Sequence, residues 1–160
     1  MKPGTKRIIC VGNRYRREDA AGPLVYERLA AERLPPDIEL VDGGLGGLNL
    51  LPLMEGAERV VFVDAVSGFR PAGGVVMLSA KEAGQWARTD YGHATGLAYL
   101  LRILPEIWEG QAVPEVCVVG IEGDAGPEGI NEAVEACRLL IGCEYRPAVA
   151  VTAGSPGTEA

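Results

Sequence analysis

The chain has 160 residues, 48% of them hydrophobic, and a net charge of −7 at pH 7. This length suits a single domain with a substantial core and is short for two domains. The acidic balance argues against a nucleic acid as the main partner, because phosphate binding needs a basic face. No apolar run approaches the roughly 20 residues of a membrane-spanning helix.

The two ends of the chain bear on its location and its domain organisation. The basic residues 1–7 are not followed by a signal-peptide core, so we expect a cytoplasmic protein without membrane insertion. Residues 144–160 are rich in Ala, Gly, Pro, Ser and Thr, which predicts a flexible tail. We therefore expect one domain over residues 1–143, and we expect it to be a monomer.

Strand-like and helix-like segments alternate along the chain, a pattern typical of βαβ units around a mainly parallel sheet. Strands are predicted, in chain order, over residues 7–11, 38–41, 59–63, 73–78 and 116–119. Helices are predicted over residues 22–34 and 46–54, from residues 91–95 to a stop at Pro105, and from Pro127 to a cap at Gly142. The link over residues 67–72 is too short for a helical crossover, so the fourth strand should run antiparallel to its neighbours. The pattern indicates an α/β fold with a mixed sheet.

Acidic side chains follow three of the predicted strands. Asp42 and Asp64 stand directly after the second and third strands, and Asp19 lies a few residues beyond the first. His93, the one histidine of the chain, begins the helix that leads to the fifth strand. Because the carboxyl ends of parallel strands share one edge, we expect these side chains to meet in a cleft. Two carboxylates and one imidazole suit a divalent metal ion with open coordination positions, such as nickel, zinc, cobalt or cadmium.

Each of these residues also has a purely structural explanation. Asp19 could be a first-turn acid that the helix dipole favours. Asp42, which precedes two glycines, is a normal turn residue, and Asp64 could simply form the turn that ends its strand. A histidine near a helix start is commonly a hydrogen-bonding residue of the surface or the core. The joint placement of the acids and His93 at one edge favours a metal site over these alternatives.

Glycines lie next to two of the acids. Gly12-Asn13 could bend the chain as the first strand leaves the sheet. Gly43-Gly44 could expose backbone amides or let a peptide approach the backbone closely, and a flexible connection without function is the alternative. Neither segment has the spacing of a dinucleotide fingerprint or of a phosphate-binding loop. Gly12, Asn13, Gly43 and Gly44 are therefore candidate substrate-binding residues.

Four segments together resemble the maturation endopeptidases of nickel-iron hydrogenases. They are, in chain order, Gly12-Asn13 with Glu18-Asp19 and Gly22, Val41-Asp42-Gly43-Gly44, Phe62-Val63-Asp64-Ala65-Val66 and His93-Ala94-Thr95-Gly96-Leu97. The resemblance implies a three-layer α/β/α sandwich whose five-stranded sheet has one antiparallel strand, here strand four. The chain departs from the family at Cys10, where a glycine is common, and in the loop over residues 122–129.

The resemblance also implies an activity and roles for the site residues. Such enzymes remove a C-terminal extension from the hydrogenase large-subunit precursor after nickel has been inserted. Asp19, Asp64 and His93 then occupy the metal-binding positions and recognise nickel that the precursor supplies, although zinc or cadmium could occupy the same site. Asp42 becomes the candidate catalytic base or substrate-positioning group. Two rival functions stay open: a nickel-sensing chaperone that binds the precursor without cleaving it, and a small-molecule metallohydrolase.

Overall fold

The structure is a computed structural model that describes residues 4–69, 73–86, 96–110, 112–124 and 126–142. Its strands are β1 (Lys6–Cys10), β2 (Ile38–Asp42), β3 (Arg59–Val66), β4 (Gly74–Ser79) and β5 (Glu115–Glu122). Its helices are α1 (Ala21–Ala30), α2 (Leu51–Met54), α3 (Ala80–Trp86), α4 (Leu97–Ile107) and α5 (Gly126–Gly142), and two 3-10 helices cover Arg17–Asp19 and Gly47–Leu50. No helix in these ranges is long and apolar enough to cross a membrane.

The strands form one sheet in the order β2-β1-β3-β5-β4. β1 pairs in parallel with β2 and β3, and β3 pairs in parallel with β5. β4 runs antiparallel to β5, which confirms the prediction from the short link that precedes it. The carboxyl ends of β2, β1, β3 and β5 therefore lie at one edge of the sheet, which is where ligands bind in open α/β folds.

Helices cover both faces of the sheet, and each face has its own core. α1 and α5 pack on one face, in a hydrophobic cluster that includes Ile8 and Val61. α2, α3 and α4 pack on the other face, in a cluster that includes Ile9 and Phe62. Successive residues of β1 and β3 thus point into opposite cores, which is why these strands read as unbroken apolar runs. The predicted three-layer α/β/α sandwich is confirmed.

Two strands are longer than the apolar runs that predict them. β3 continues through Asp64 to Val66, and β5 continues to Glu122. Gly120 makes room for this extension, because a Cβ at its position would lie 2.8 Å from Cγ2 of Val66. Asp64 pairs with Gly120 across the two strands. Asp64 is therefore a residue within a strand, and its explanation as a turn residue at the strand end is wrong.

Two helices end at residues other than those predicted. α1 ends at Ala30 rather than at residue 34. Pro105 lies inside α4 and does not stop it, since the helix continues to Ile107. The N–H of Trp108 then donates to the carbonyl oxygen of Leu104 at 3.0 Å and closes the last turn. A proline so near a helix end removes a single backbone hydrogen bond, which the turn that follows tolerates.

The segment between β4 and β5 contains a helix that the apolar pattern does not predict. Its start carries a capping box: the N–H of Ser79 donates to Oε1 of Glu82 at 2.8 Å, and the N–H of Glu82 donates to Oγ of Ser79 at 3.1 Å. This helix is α3. The next helix, α4, begins at Leu97. The sequence predicts its start at residues 91–95, which lie outside the described residues.

Candidate functional site

Two of the predicted acids lie near the carboxyl ends of the strands on either side of β1, Asp42 as the last residue of β2 and Asp64 two residues before the end of β3. Cys10, the last residue of β1, is in register with Asp42 of β2 and with Val63 of β3. Asp64 follows Val63 and therefore lies one residue closer to the carboxyl edge. Asp42 and Asp64 thus lie at the same edge of the sheet, where the sequence places them.

Asp19 reaches this edge because the chain folds back on itself after β1. The N–H of Asn13 donates to Oδ2 and to the main-chain oxygen of Asp19, at 3.0 Å in both cases. Gly12 permits this close approach, since it has a φ of 146° and a Cβ at its position would lie 2.3 Å from the carbonyl oxygen of Asp19. Gly12 and Asn13 therefore hold Asp19 beside the end of β1.

Asp64 and Asp19 form a pair of like charges. Burial raises the pKa of the Asp64 carboxyl well above its usual range, and the nearby carboxylate of Asp19 raises that pKa further. The N–H of Ala65 donates to Oδ1 of Asp64 at 2.8 Å and opposes the shift only in part. A desolvated carboxyl near another negative charge favours a bound proton or a bound cation. A polar arrangement of this kind is typical of functional sites.

Asp42 has a different environment. Its side chain is exposed, and Oδ1 accepts a hydrogen bond from the N–H of Gly44 at 2.9 Å, so the carboxylate stabilises the turn after β2. Burial raises the pKa of the Cys10 thiol, and the charge of Asp42 adds to this effect, so Asp42 lies on the Cys10 face of the sheet. Val63 shares that face, and Asp64, the next residue, faces the other. The structure thus pairs Asp64 with Asp19 and separates both from Asp42.

The backbone N–H groups of the glycine-rich turns are used within the fold. The N–H of Gly12 donates to the carbonyl oxygen of Gly44, and the N–H of Gly43 donates to that of Cys10, both at 2.8 Å. The N–H of Gly44 donates to Asp42, as described above. These bonds tie the β1 and β2 turns together. The idea that Gly43 and Gly44 expose their amides is therefore wrong, whereas Gly44 does face open space, because a Cβ there would meet no atom within 4 Å.

His93 lies outside the described residues, so the predicted group of two aspartates and one histidine stays a prediction. Within the described ranges, no three His, Cys, Asp or Glu residues are grouped so that they could hold a metal ion. Asp19 and Asp64 are two of the three predicted ligands, and the charge of Asp19 acts on the carboxyl of Asp64. Their pairing is consistent with a site that is completed by a third ligand.

A cleft of about 750 Å³ borders the 3-10 helix that ends at Asp19, and its described lining residues include neither Asp19 nor Asp64. It lies between the 3-10 helix that ends at Asp19, the ends of β3 and β5, and the start of α5. Its charged lining residues are Arg17, Glu18, Glu122, Asp124, Glu128 and Glu132. The sequence patterns considered above do not single out Glu122. Like Asp42 and Asp64, Glu122 follows an apolar run, and its place after that run is the signal by which it could have been found.

Comparison with known proteins gives relatives of one kind. The chain is 38% identical to the hydrogenase expression/formation protein HupD of Rhodobacter capsulatus over 79 residues, which are 48% of this chain and 38% of that protein. It is 28% identical to the hydrogenase 2 maturation protease of Escherichia coli over 117 residues, 71% of this chain and 70% of that protein.

A solved structure shares the fold, and a family model covers most of the chain. The hydrogenase maturating endopeptidase HybD of E. coli superposes with a TM-score of 0.72 at 22% identity, over 93% of this chain and 98% of that one. The family model described as hydrogenase maturation protease matches residues 23–138. The chain therefore belongs to the hydrogenase maturation protease family, which is a family of peptidases.

Proposed function

We propose that this chain is an endopeptidase that removes the C-terminal extension of a nickel-iron hydrogenase large-subunit precursor after nickel insertion. Family membership supports the reaction class, and the relative named as a hydrogenase 2 maturation protease supports a hydrogenase precursor as the substrate. The observation that carries the proposal is the pair Asp19 and Asp64, in which the charge of Asp19 adds to the raised pKa of the buried Asp64 carboxyl. A cleft of about 750 Å³ borders the 3-10 helix that ends at Asp19. A cleft of this volume has room for a polypeptide segment.

We expect Asp19, Asp64 and His93 to bind the nickel that the precursor carries. Carboxylate and imidazole ligands suit nickel, and they also suit zinc or cadmium. The environment of Asp64 fits a cation, because a positive charge beside its desolvated carboxyl favours the ionised form of Asp64. The metal ion comes with the substrate in this proposal and marks a precursor that is ready for cleavage.

Asp42 is the candidate general base or substrate-positioning group. One of its oxygens is held by the N–H of Gly44, which gives the exposed carboxylate a fixed orientation at the edge of the sheet. A carboxylate so placed can take a proton from water or accept a hydrogen bond from a substrate amide. Its separation from the acid pair suggests a division of labour, in which Asp19 and Asp64 bind the metal and Asp42 acts on the peptide.

The glycine-rich turns form one wall of the proposed substrate path. A hydrogen bond of 2.8 Å from the N–H of Gly12 to the carbonyl oxygen of Gly44 ties the two turns to each other. Gly44 borders open space, which lets an extended polypeptide approach the backbone closely. These residues therefore contribute to substrate binding by leaving space for the polypeptide rather than by offering free N–H donors.

Incubation of the purified chain with nickel-loaded and nickel-free precursor tests the proposal. Intact-mass measurement should show that the nickel-loaded precursor loses its extension and that the nickel-free form keeps it. An Asp19→Asn variant serves as the control for the acid pair, and it should leave both forms intact.

Other results of this experiment point to other functions. Binding of the nickel-loaded precursor without any loss of mass would support a nickel-sensing chaperone and contradict an endopeptidase. Turnover of small amides with no effect on the precursor would support a small-molecule metallohydrolase. Equal cleavage of both precursor forms would support an endopeptidase but contradict the recognition of nickel.

A further inference from the structure

The carboxylate of Glu122 holds the first residues of the loop that follows β3. Its Oε2 accepts a hydrogen bond from the N–H of Gly68 at 2.8 Å, and its Oε1 accepts one from the N–H of Phe69 at 2.9 Å. Both oxygens thus bind consecutive amides of one loop. Hydrogen bonds to an ionised acceptor are stronger than those between neutral groups, so this side chain makes a large contribution to the position of the loop.

The backbone of Glu122 lies between the two ends of the same loop. Glu122 is in register with Val66, the last residue of β3, and with Gly74, the first residue of β4. The chain therefore leaves the sheet on one side of Glu122 and re-enters it on the other. The side chain reaches from this central position to residues 68 and 69 and fixes the loop at the carboxyl edge.

Residues at both ends of this loop line the cleft that borders the 3-10 helix ending at Asp19. Val66, Ser67 and Gly74 line the cleft together with Glu122. Asp64 lies two residues before Val66 on the same strand, where its pairing with β5 holds it. A displaced loop would therefore change the shape of the cleft while Asp64 keeps its place.

We infer that Glu122 is a positioning residue whose carboxylate holds residues 68 and 69 and thereby places Ser67, which lines the cleft that receives the substrate polypeptide. The inference rests on the proposed function, because it assigns the cleft to the substrate of that reaction. It concerns binding of the polypeptide rather than cleavage, since the acid pair belongs to β3 and to the 3-10 helix. Glu122 therefore acts through the loop and not on the reacting atoms.

Glu128 provides a matched control. It lines the same cleft from α5, and the loop amides of Gly68 and Phe69 donate to Glu122 and not to Glu128. Glu122→Gln and Glu128→Gln each remove one negative charge from the cleft. The Glu122→Gln change also places an amide NH₂ against a backbone N–H, whereas Glu128→Gln leaves the loop contacts as they are.

Steady-state cleavage of nickel-loaded precursor and amide hydrogen exchange together test the inference. Glu122→Ala should raise KM roughly tenfold with kcat within about twofold of wild type, because the hydrogen bonds to a charged acceptor are lost but the acid pair is retained. The nearly isosteric Glu122→Gln should raise KM by a smaller factor than Glu122→Ala, and by a larger factor than Glu128→Gln, which controls for the loss of a charge in the cleft. The amides of Gly68 and Phe69 should exchange faster in both Glu122 variants.

Several results would overturn the inference. Unchanged exchange at Gly68 and Phe69 would show that Glu122 does not hold the loop. Faster exchange with an unchanged KM would show that the loop is not a wall of the substrate cleft, and equal effects of Glu122→Gln and Glu128→Gln would assign the effect to charge. A wild-type protein that cleaves nothing would instead contradict the proposed function, and the inference would then be decided by amide exchange and by affinity for the precursor.

Discussion

The two sides of the carboxyl edge of the sheet use their polar groups differently. On the side of β1 and β2, the N–H groups of Gly12, Gly43 and Gly44 donate within the fold, and Asp42 accepts one of these bonds. On the side of β3 and β5, Asp64 lies desolvated beside the carboxylate of Asp19, and the two charges repel each other. The first side satisfies its polar groups, and the second leaves a pair that a cation would stabilise.

This difference separates the acids that stabilise the fold from those whose placement favours a role in the functional site. The presence of a carboxylate that caps its own turn is explained by the stability that it gives to the fold. A pair of carboxylates held close together lowers the stability of the fold, and such an arrangement is commonly maintained for function. Asp19 and Asp64 therefore carry the stronger argument for the site, and Asp42 needs an experiment to show that it does more than stabilise a turn.

The largest effect on stability is expected at Gly22, which packs α1 against β1. A Cβ at this position would lie 2.0 Å from the carbonyl oxygen of Val11, and this backbone atom cannot move aside cheaply. We expect Gly22→Ala to lower the free energy of unfolding by about 3 kcal/mol, as measured by urea denaturation. Gly44→Ala is the control, because its Cβ meets open space and only its positive φ is unfavourable, at a cost of about 1 kcal/mol. Equal losses in the two variants would contradict the packing described here.

The next effect is on cleavage, and it distinguishes the two sides of the edge. Asp64→Asn keeps the shape of the side chain but removes a charge from the acid pair, so we expect precursor cleavage to fall at least about 100-fold. Asp42→Asn keeps an oxygen acceptor for the N–H of Gly44, so its fold should be unchanged, and a loss of kcat in this variant would reveal a role for Asp42 as a base. Wild-type rates in Asp64→Asn would show that the acid pair is not part of the site.

A smaller effect concerns the pH dependence of stability in metal-free buffer. Because the folded-state pKa of Asp64 is raised, its contribution to stability is fully present below the usual carboxyl pKa and is lost as the pH rises through the raised value. Asp64→Asn removes this titration. Urea denaturation with a chelator present should give similar unfolding free energies for variant and wild type at about pH 4, and a more stable variant at about pH 8. A less stable variant at the higher pH would mean that the ionised Asp64 is favourable in the fold.

Much of the fold follows from the sequence, because its strongest signals are long apolar runs and short links. The runs at Val60–Val63 and Val116–Val119 can be buried on both faces only in the middle of a sheet. The link over residues 67–72 requires an antiparallel fourth strand. Apolar runs do not predict the helix α3, because its start is marked by the Ser79 and Glu82 capping box rather than by a hydrophobic stripe.

The site is less predictable than the fold, because it depends on details of register. Sequence analysis places Asp42 and Asp64 at one edge, and this is correct. It cannot give the face of each side chain, because one residue of register reverses the face. The extension of β3 past Asp64 depends on Gly120, a residue of a different strand. Such contacts between distant parts of the chain have no local signal.

The most direct test of the account is a calorimetric titration of nickel ions into the wild-type protein, Asp64→Asn and Asp42→Asn. We predict that the wild type binds the ion, that Asp64→Asn binds it at least roughly tenfold more weakly, and that Asp42→Asn matches the wild type. Equal affinity in the wild type and Asp64→Asn, or a loss confined to Asp42→Asn, would contradict the assignment of the metal-binding role to the pair of Asp19 and Asp64.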